Sequence, residues 1–582
     1  MVTNSEQNQR VAAGESRALA PGPTFTIGRQ WRRRLGHTAW IVGLATALTI
    51  GLERFGFNPT DQGFVVAQSW RILHGEIPHR DLISARPLGS AYLHIIDFVI
   101  PGPLLLSSAF VACLQLIVAT VVLAAWTTGI GVLRWGLVRT AVVASVAVIN
   151  VHLFAMTAWH TVDGIFLVAV GWYAFDMGRQ RDRVWVVRSG LFAIGFAAVT
   201  KQSFIPAVLV TLVVLLIQRR HPVRRLILDL ATLIGPSTIY LVIVTAGGGF
   251  GAMVDQLGGG HATAGQRLLS IGVISGAIPI LGVYTVAVLA STTRGPMMRG
   301  IASVIACLIL GAVIVDGQLE RAGNWGIVLW WAAALTIGIH AATQRSVPWR
   351  SVGMVLLGYM VSLSWGYASP TLLGGSLALL AIEQLVRDLP TVVDRARIVG
   401  GIAAVILLVA ALGWMSELRR QAPYRDLPAR ELTADLGESI PAMRGIRTNP
   451  ATAAYVEQIV RCLDQYPASR TAVLPDNPFI YPALHIRNPF PIDWPLSAEL
   501  VADSRARLDT AAEKIEREGD YLILFQTVTS RALASAKPIP VAVPADVSVV
   551  DPAGIADGIL ARLSGQPVTC GSFVGVWQPS NR

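Results

Sequence analysis

PLGSAYLHIIDFVI, residues 87–100, is the stretch on which the topology of this chain turns. It is apolar but short, it holds His94 and Asp97, and Pro101 and Pro103 end it. Such a segment is either a membrane span or a helix lying at the interface. The residues around it decide between the two.

Long apolar runs recur on both sides, at about 38–55, 104–131, 138–157, 162–177, 186–199, 203–218, 226–246, 269–290, 299–316, 325–342, 351–367, 371–386 and 398–415. With 53% hydrophobic and 14% charged residues and a mean hydropathy of +0.54, the composition lies outside the soluble range. The chain reads as a polytopic α-helical membrane protein of about thirteen transmembrane helices.

Basic residues in short loops set orientation. If 87–100 lies at the interface, 21 of the 28 Lys and Arg residues between 29 and 397 fall on one side, including Arg29, Arg32, Arg33 and Arg34 before the first run. Making 87–100 a span would invert every later loop and break that pattern. The interfacial reading therefore holds. The N-terminus is expected in the cytoplasm, with residues 1–37 as a disordered tail and 38–415 as the membrane domain. Residues 56–103 form its first external loop, and 416–582 an extracytoplasmic α/β domain. The net charge of +11 does not indicate nucleic-acid binding, because the basic residues sit in the loops that orient the spans. Arginine and alanine richness suggests a bacterial chain, hence a multi-pass protein of the inner membrane.

In the outer domain, 452–466 and 496–518 have helical character, while 471–474, 521–525 and 572–577 look like strands. Residues 475–495 form a Pro- and aromatic-rich loop, either structural turns or a cover over the membrane site. Cys462 and Cys570, facing an oxidising compartment, are candidates for one disulfide, the alternative being two free thiols.

The first loop, NPTDQGFVVAQSWRILHGEIPHRDLISARPLGS (58–90), concentrates ionisable groups where a membrane chain usually avoids them. Arg54, Arg71, Arg80, Arg86, Lys201, Arg267 and Arg321 all fall on the outer side, against the orientation bias. They suit a phosphate, or ordinary pairing with Glu53, Glu76, Asp81 or Glu320. Asp61 and Asp163 are two carboxylates expected at the same face, although Asp163 could instead cap its helix. A metal site built from His94, His152, His160 and Asp61 has no recognisable ligand spacing. The glycine-rich 246–267 lacks the GK[ST] ending of a phosphate loop. It reads as an outer loop that orders over a substrate, or as slack between spans.

The run TDQGFVVAQSWRILHGEIPHRDLISARPLG resembles the first external loop of the GT-C glycosyltransferases, polytopic enzymes that use polyprenyl-phosphate sugars. It is most similar to the branch of protein O-mannosyltransferases and lipid A aminoarabinose transferases, over about residues 38–205. Asp61-Gln62-Gly63, Leu73-His74-Gly75-Glu76-Ile77-Pro78-His79-Arg80-Asp81 and Arg86-Pro87-Leu88 carry the likeness. It implies Asp61 as catalytic base, Arg86 at a lipid-phosphate contact, Asp163 at a second acidic position and Lys201-Gln202 at an outer span end. Gln62 stands where the family has its second acid and His79 where it has Tyr, so a two-carboxylate or metal-dependent scheme lacks a partner there.

The expectation is an inverting glycosyltransferase that moves a sugar from a polyprenyl-phosphate donor to a glycan, lipid or protein acceptor. Asp61 and Asp163 would be catalytic; Arg86, Lys201 and Arg267 would hold the donor phosphate; and Gln62, Arg80, Asp81 and Gln202 would line the substrate loop. No cofactor is expected, with a divalent metal left open. The rival expectation is a transporter or flippase, against which no internal repeat is evident.

Overall fold

A computed structural model describes residues 24–580 except 152–154, 218–221, 259–270, 273–274, 294, 318–323, 364–368, 388–393, 536–538 and 540–547. Within it the chain is mostly helical, with a small sheet near the C-terminus. Each of the thirteen apolar runs carries a helix over its described residues. Among the described residues, six helices are long and apolar enough to cross a membrane: Gln30–Glu53, Leu104–Thr128, Val223–Ala246, Pro296–Gly317, Asn324–Gln344 and Val399–Gln421. The first helix begins at Thr24, ahead of the expected start at 38. No proline lies between Pro23 and the apolar run, so the arginine-rich segment continues the helix through Gly28 and Gly36.

Burial separates hub from periphery. In Leu104–Thr128 72% of the apolar window is buried inside the protein, against 11% in Val399–Gln421, so the first is the central post and the second presents its sides outward. At one end of the bundle Glu53 and Arg419, each 2% exposed at the side chain, pair at 2.9 Å. The Met156 N–H donates to the same Glu53 oxygen at 2.8 Å. This pair joins the ends of the first and last long helices at the face that carries the sheet.

His160–Gln180 and Val184–Thr200 form a tight antiparallel hairpin. Small residues permit it: a Cβ on Gly171 would lie 2.6 Å from Ile194, and one on Gly190 would lie 2.6 Å from the Gly171 carbonyl oxygen. Gly164 likewise makes room for the ring of Phe204. The hairpin therefore returns Thr200 and Lys201 to the level of Thr161 and Asp163. Residues 87–100 form the short helix Gly89–Leu93 and a 3-10 segment His94–Phe98, folded against the bundle end.

Beyond the last long helix, β1 (Ala434–Asp435) and β2 (Arg447–Thr448) pair antiparallel. The main sheet contains β3 (Arg470–Leu474), β4 (Tyr521–Gln526), β5 (Gln566–Cys570) and β6 (Phe573–Gln578), in the order β3-β4-β6-β5. β3 and β4 are parallel and the other pairs antiparallel. Every residue of β4 is buried, because the sheet is covered on both faces by the helices Pro450–Gln465 and Ser504–Glu518 and their neighbours. Cys462, on the first of these helices, is joined to Cys570 at the end of β5. The second helix starts at Ser504 and not at 496; Ala502 has φ +52°, and residues 496–503 turn instead.

The long loop after β3 does not stay with the sheet. It leans onto the first loop of the bundle: Asn477 N–H donates to the Pro59 carbonyl (2.9 Å), Ile83 N–H to the Pro491 carbonyl (2.7 Å), and Trp70 Nε1 to the Ile486 carbonyl (2.9 Å). Arg71 ties the same contact, donating to the Phe490 carbonyl and pairing with Glu76 at 2.6 Å and Asp493 at 2.9 Å. Arg71 is thus a buried clasp, fully used by the fold.

Candidate functional site

Asp61 sits on the turn that starts the first loop. The N–H of Asn58 donates to Gln62 Oε1 at 2.8 Å and that of Thr60 to Asn58 Oδ1 at 3.0 Å, so Gln62 is turned inward as a strut of the turn. The turn ends at Gly63, with φ +89°, where a Cβ would lie 2.7 Å from the Phe479 Cα. Only glycine satisfies both conditions, and it lets the helix Phe64–Leu73 start flush against the sheet domain.

Two groups grip Asp61, both through Oδ2: the Tyr424 hydroxyl donates to it and Arg425 Nη1 lies 3.0 Å away. Burial and the Asp61 charge push the Tyr424 phenol up, so it remains a donor. Oδ1 takes part in neither contact, and the side chain is 25% exposed. The field of Asp61 also reaches Asp476, which accepts from Trp494 Nε1 (2.9 Å) and Gln526 Nε2 (2.7 Å). Burial, with the Asp61 charge adding to it, raises the Asp476 carboxyl above its usual range despite those donors. The carboxylate that the fold sets beside Asp61 is therefore Asp476, from the 475–495 loop.

Asp163 belongs to a second cluster. It does not cap its helix: its Oδ1 accepts from His94 Nε2 at 3.0 Å and Gln115 Nε2 at 2.9 Å. The other nitrogen of His94 meets Asp97 Oδ2 at 2.9 Å, and all three side chains are fully buried. Burial opposes a charge on His94, but Asp163 and Asp97 outweigh it and raise its pKa to about 10. His94 is thus an imidazolium between two carboxylates. Asp163 Oδ2, Asp97 Oδ1 and Gln115 Oε1 are buried without a hydrogen-bonding partner among the described residues.

The hairpin sets Lys201 beside this cluster, its Nζ donating to Thr161 Oγ1 at 2.9 Å. Gln202 donates to the Ala85 carbonyl at 2.8 Å and so pins the segment that carries Arg86. Arg86 lies 6.0 Å over the Phe64 ring and is paired with Glu499, from the segment after the long loop. Arg86, Lys201 and His94 are the charges whose fields reach His160, whose ring stands 6.2 Å from Phe64. Phe64 in turn packs on Trp494 at 5.3 Å. The Asp61 and Asp163 clusters thus lie on either side of one aromatic pair where the loop meets the bundle.

The remaining expected residues lie apart from this centre or outside what is described. Arg80 and Asp81 pair with each other at 2.7 Å on the rim, and Arg80 also holds the Gly247 carbonyl at 2.8 Å. Arg267, Arg321 and His152 lie outside the described residues. Of the glycine-rich 246–267, the described part includes a helix, Phe250–Gly258, whose Gln256 bonds the ring and the carbonyl of His79. An open groove of about 690 Å³ between Phe55, Arg420 and Arg430 holds none of the residues that point to chemistry.

Sequence reading passed over Asp476, Glu499, Tyr424 and Arg425. The Pro-Asp-Asn-Pro run at 475–478 carried a signal for the first; the others lie more than 300 positions from their partners and left none. Among the described residues no group of three or more His, Cys, Asp or Glu is placed to hold a metal ion. Compared with known proteins, the chain matches no protein-family model and no curated sequence.

Proposed function

We propose that the chain is a GT-C-like membrane glycosyltransferase of a bacterial inner membrane. In this reading all thirteen apolar helices span, the N-terminus is cytoplasmic and the sheet domain lies outside. The observation that carries it is that Arg86 and Lys201, near His160, lie on one side of the Phe64–Trp494 pair and a partly exposed carboxylate, Asp61, on the other, with Trp494 supplied by the loop of the sheet domain. Cations for a lipid phosphate and a base for an acceptor are what such a transfer needs.

The donor tail remains in lipid while its phosphate meets Arg86 and Lys201, taking the place of Glu499. Asp61 accepts the proton of the acceptor hydroxyl through Oδ1. The acceptor oxygen forms the new bond to the anomeric carbon as the bond to the phosphate oxygen breaks, and that oxygen keeps the electron pair. Attack opposite the leaving group inverts the centre. Arg86 and Lys201 stabilise the charge that grows on the departing phosphate.

The test is transfer of radiolabelled sugar from polyprenyl-phosphate donors in membranes, comparing wild type with Asp61→Asn at equal expression. Transfer by wild type that is lost in the variant supports the reading. The Asp97–His94–Asp163 chain favours a second one, because buried acid–histidine chains also serve as proton relays in transporters. Absence of transfer across a donor panel, together with proton-coupled movement of lipid-linked substrate in liposomes, would replace the enzyme by the transporter.

A further inference from the structure

His160 is 2% exposed, yet its Nε2 has no hydrogen-bonding partner among the described residues. Leaving a buried imidazole nitrogen unbonded costs stability, so a position that keeps one calls for a group that completes it. The surroundings say what kind of group. Arg86 comes from the first loop, Lys201 from the end of the hairpin and His94 from the 3-10 segment, and all three put positive charge near the ring. The carboxylates close by are engaged elsewhere: Asp97 and Asp163 with His94, and Glu499 with Arg86. A neutral hydroxyl accepts from few donors, whereas an oxyanion that takes the place of Glu499 on Arg86 accepts from several at once.

We infer that His160 Nε2 is the third donor of an anion site, hydrogen-bonded to a non-bridging oxygen of a phosphate ester held by Arg86 and Lys201. The inference rests on the polyprenyl-phosphate reading and adds to it a residue from the start of the hairpin. Phe64, which lies against both His160 and Arg86, gives the site an apolar wall on the side of the helix Phe64–Leu73. An ester with an apolar substituent fits such a wall better than a bare, fully hydrated ion.

The test titrates the purified full-length chain in detergent with farnesyl phosphate and, separately, with inorganic phosphate. Wild type is compared with His160→Ala and His160→Gln, the glutamine amide reaching the place of Nε2. Expected is a loss of farnesyl phosphate affinity of about tenfold or more in His160→Ala, as for a hydrogen bond to a charged group, with recovery in His160→Gln. An equal loss for inorganic phosphate supports a contact to the phosphate itself from either source. A loss confined to farnesyl phosphate supports the lipid headgroup as its ligand. Where His160→Ala does not fold, His160→Asn, too short to reach that place, is set against His160→Gln and carries the same expectation. Unchanged affinity in the folded variants, or no binding by wild type, overturns the contact. If binding depends on His160 while wild type transfers no sugar, the contact stands and the glycosyltransferase reading alone fails. Transfer by wild type with unchanged affinity in the variants does the reverse.

Discussion

Asp61 and Asp163 flank the Phe64–Trp494 pair in opposite settings. Asp61 is partly exposed, held on one oxygen by Tyr424 and Arg425, both of which follow the last long helix. Asp163 is fully buried, and its charge is offset by a histidine that also serves Asp97. A carboxylate that substrate can reach, with one oxygen uncommitted, is suited to proton transfer in turnover. One locked between a hairpin and a 3-10 segment is suited to holding the hairpin in register, and its neighbours Lys201 and His160 with it. The difference predicts that removing the first costs activity and removing the second costs the fold.

The largest effect should fall on Asp61. Asp61→Asn keeps the hydrogen bond from Tyr424 but removes the proposed base, so on the glycosyltransferase reading sugar transfer should drop by a factor of about 10² to 10⁴ with the melting temperature nearly unchanged. Equal losses of transfer and of melting temperature would show that Asp61 is a fold residue like Asp163 and would erase the contrast.

His94→Ala should do the opposite. It leaves two buried carboxylates facing each other with no cation between them, a defect that costs about 3–5 kcal/mol in comparable buried pairs. Thermal melting in detergent reads it, and Asp97→Asn combined with His94→Ala should restore part of the loss. The pH dependence has a definite sign. Because the folded pKa of about 10 lies above the ordinary imidazole value of 6.5, the stability from His94 is complete below pH 6.5 and disappears as pH rises through 10. A melting temperature that stays flat between pH 8 and 10.5 would mean that the histidine carries no proton.

Two smaller tests concern how the sheet domain is fastened to the site. Cys462 and Cys570 lie 108 positions apart, so opening their link frees a long loop in the unfolded chain. Cys570→Ser should lower the stability of that domain by about 2–4 kcal/mol, read by limited proteolysis against temperature. Glu499→Gln removes the carboxylate that neutralises Arg86 while leaving its shape, and should tighten phosphate-ester binding by about tenfold. Weaker binding in this variant would make Glu499 a ligand-positioning residue and not a stand-in for the phosphate.

How legible this was in the sequence depended on the distance over which the signal acts. Apolar runs mark helices because burial or lipid demands a continuous apolar surface, and each of the thirteen runs carries one. The strands at 471–474, 521–525 and 572–577 were readable for the same reason, as apolar β-rich runs. β5, QPVTC, was not: it is an edge strand, largely exposed, with one buried residue. Lys201 and Arg86 were legible from positive charge that runs against the orientation bias, and Asp61 from the ionisable first loop and the resemblance it carries. Their partners were not. Which carboxylate meets Arg86 or Asp61 is settled by a loop folding back across more than 400 positions, and no local period encodes that. Asp163 shows the converse failure: a residue at the start of a helix suggests a cap, but the hairpin turns it sideways to a histidine 69 positions earlier.

The smallest effect concerns His79, where this chain has histidine at a position for which the resemblance calls for tyrosine. Its Nδ1 meets Gln256 Oε1 at 2.9 Å and its Nε2 meets the Tyr240 hydroxyl at 2.7 Å, while Arg507 donates to its carbonyl at 3.0 Å. The loop between 77 and 90 is thereby fastened to two helices and to the sheet domain through one residue. Burial lowers the pKa of His79 to about 4, so it is neutral in all three contacts. Between pH 6.5 and 4 the released loop takes up a proton that the docked loop excludes. The docking free energy is therefore intact above pH 6.5 and declines as pH falls toward 4. Hydrogen-exchange protection of residues 77–90, taken relative to the intrinsic exchange rate at each pH, should fall over that range in wild type, while the His94 cluster stays protected. In His79→Gln, which keeps a polar side chain but cannot titrate, the same protection should be flat with pH. If the loop opens equally in both, the fastening lies in Arg71 and Arg507 and not in the histidine. The comparison between the two clusters would then extend to a third element, held by arginines alone.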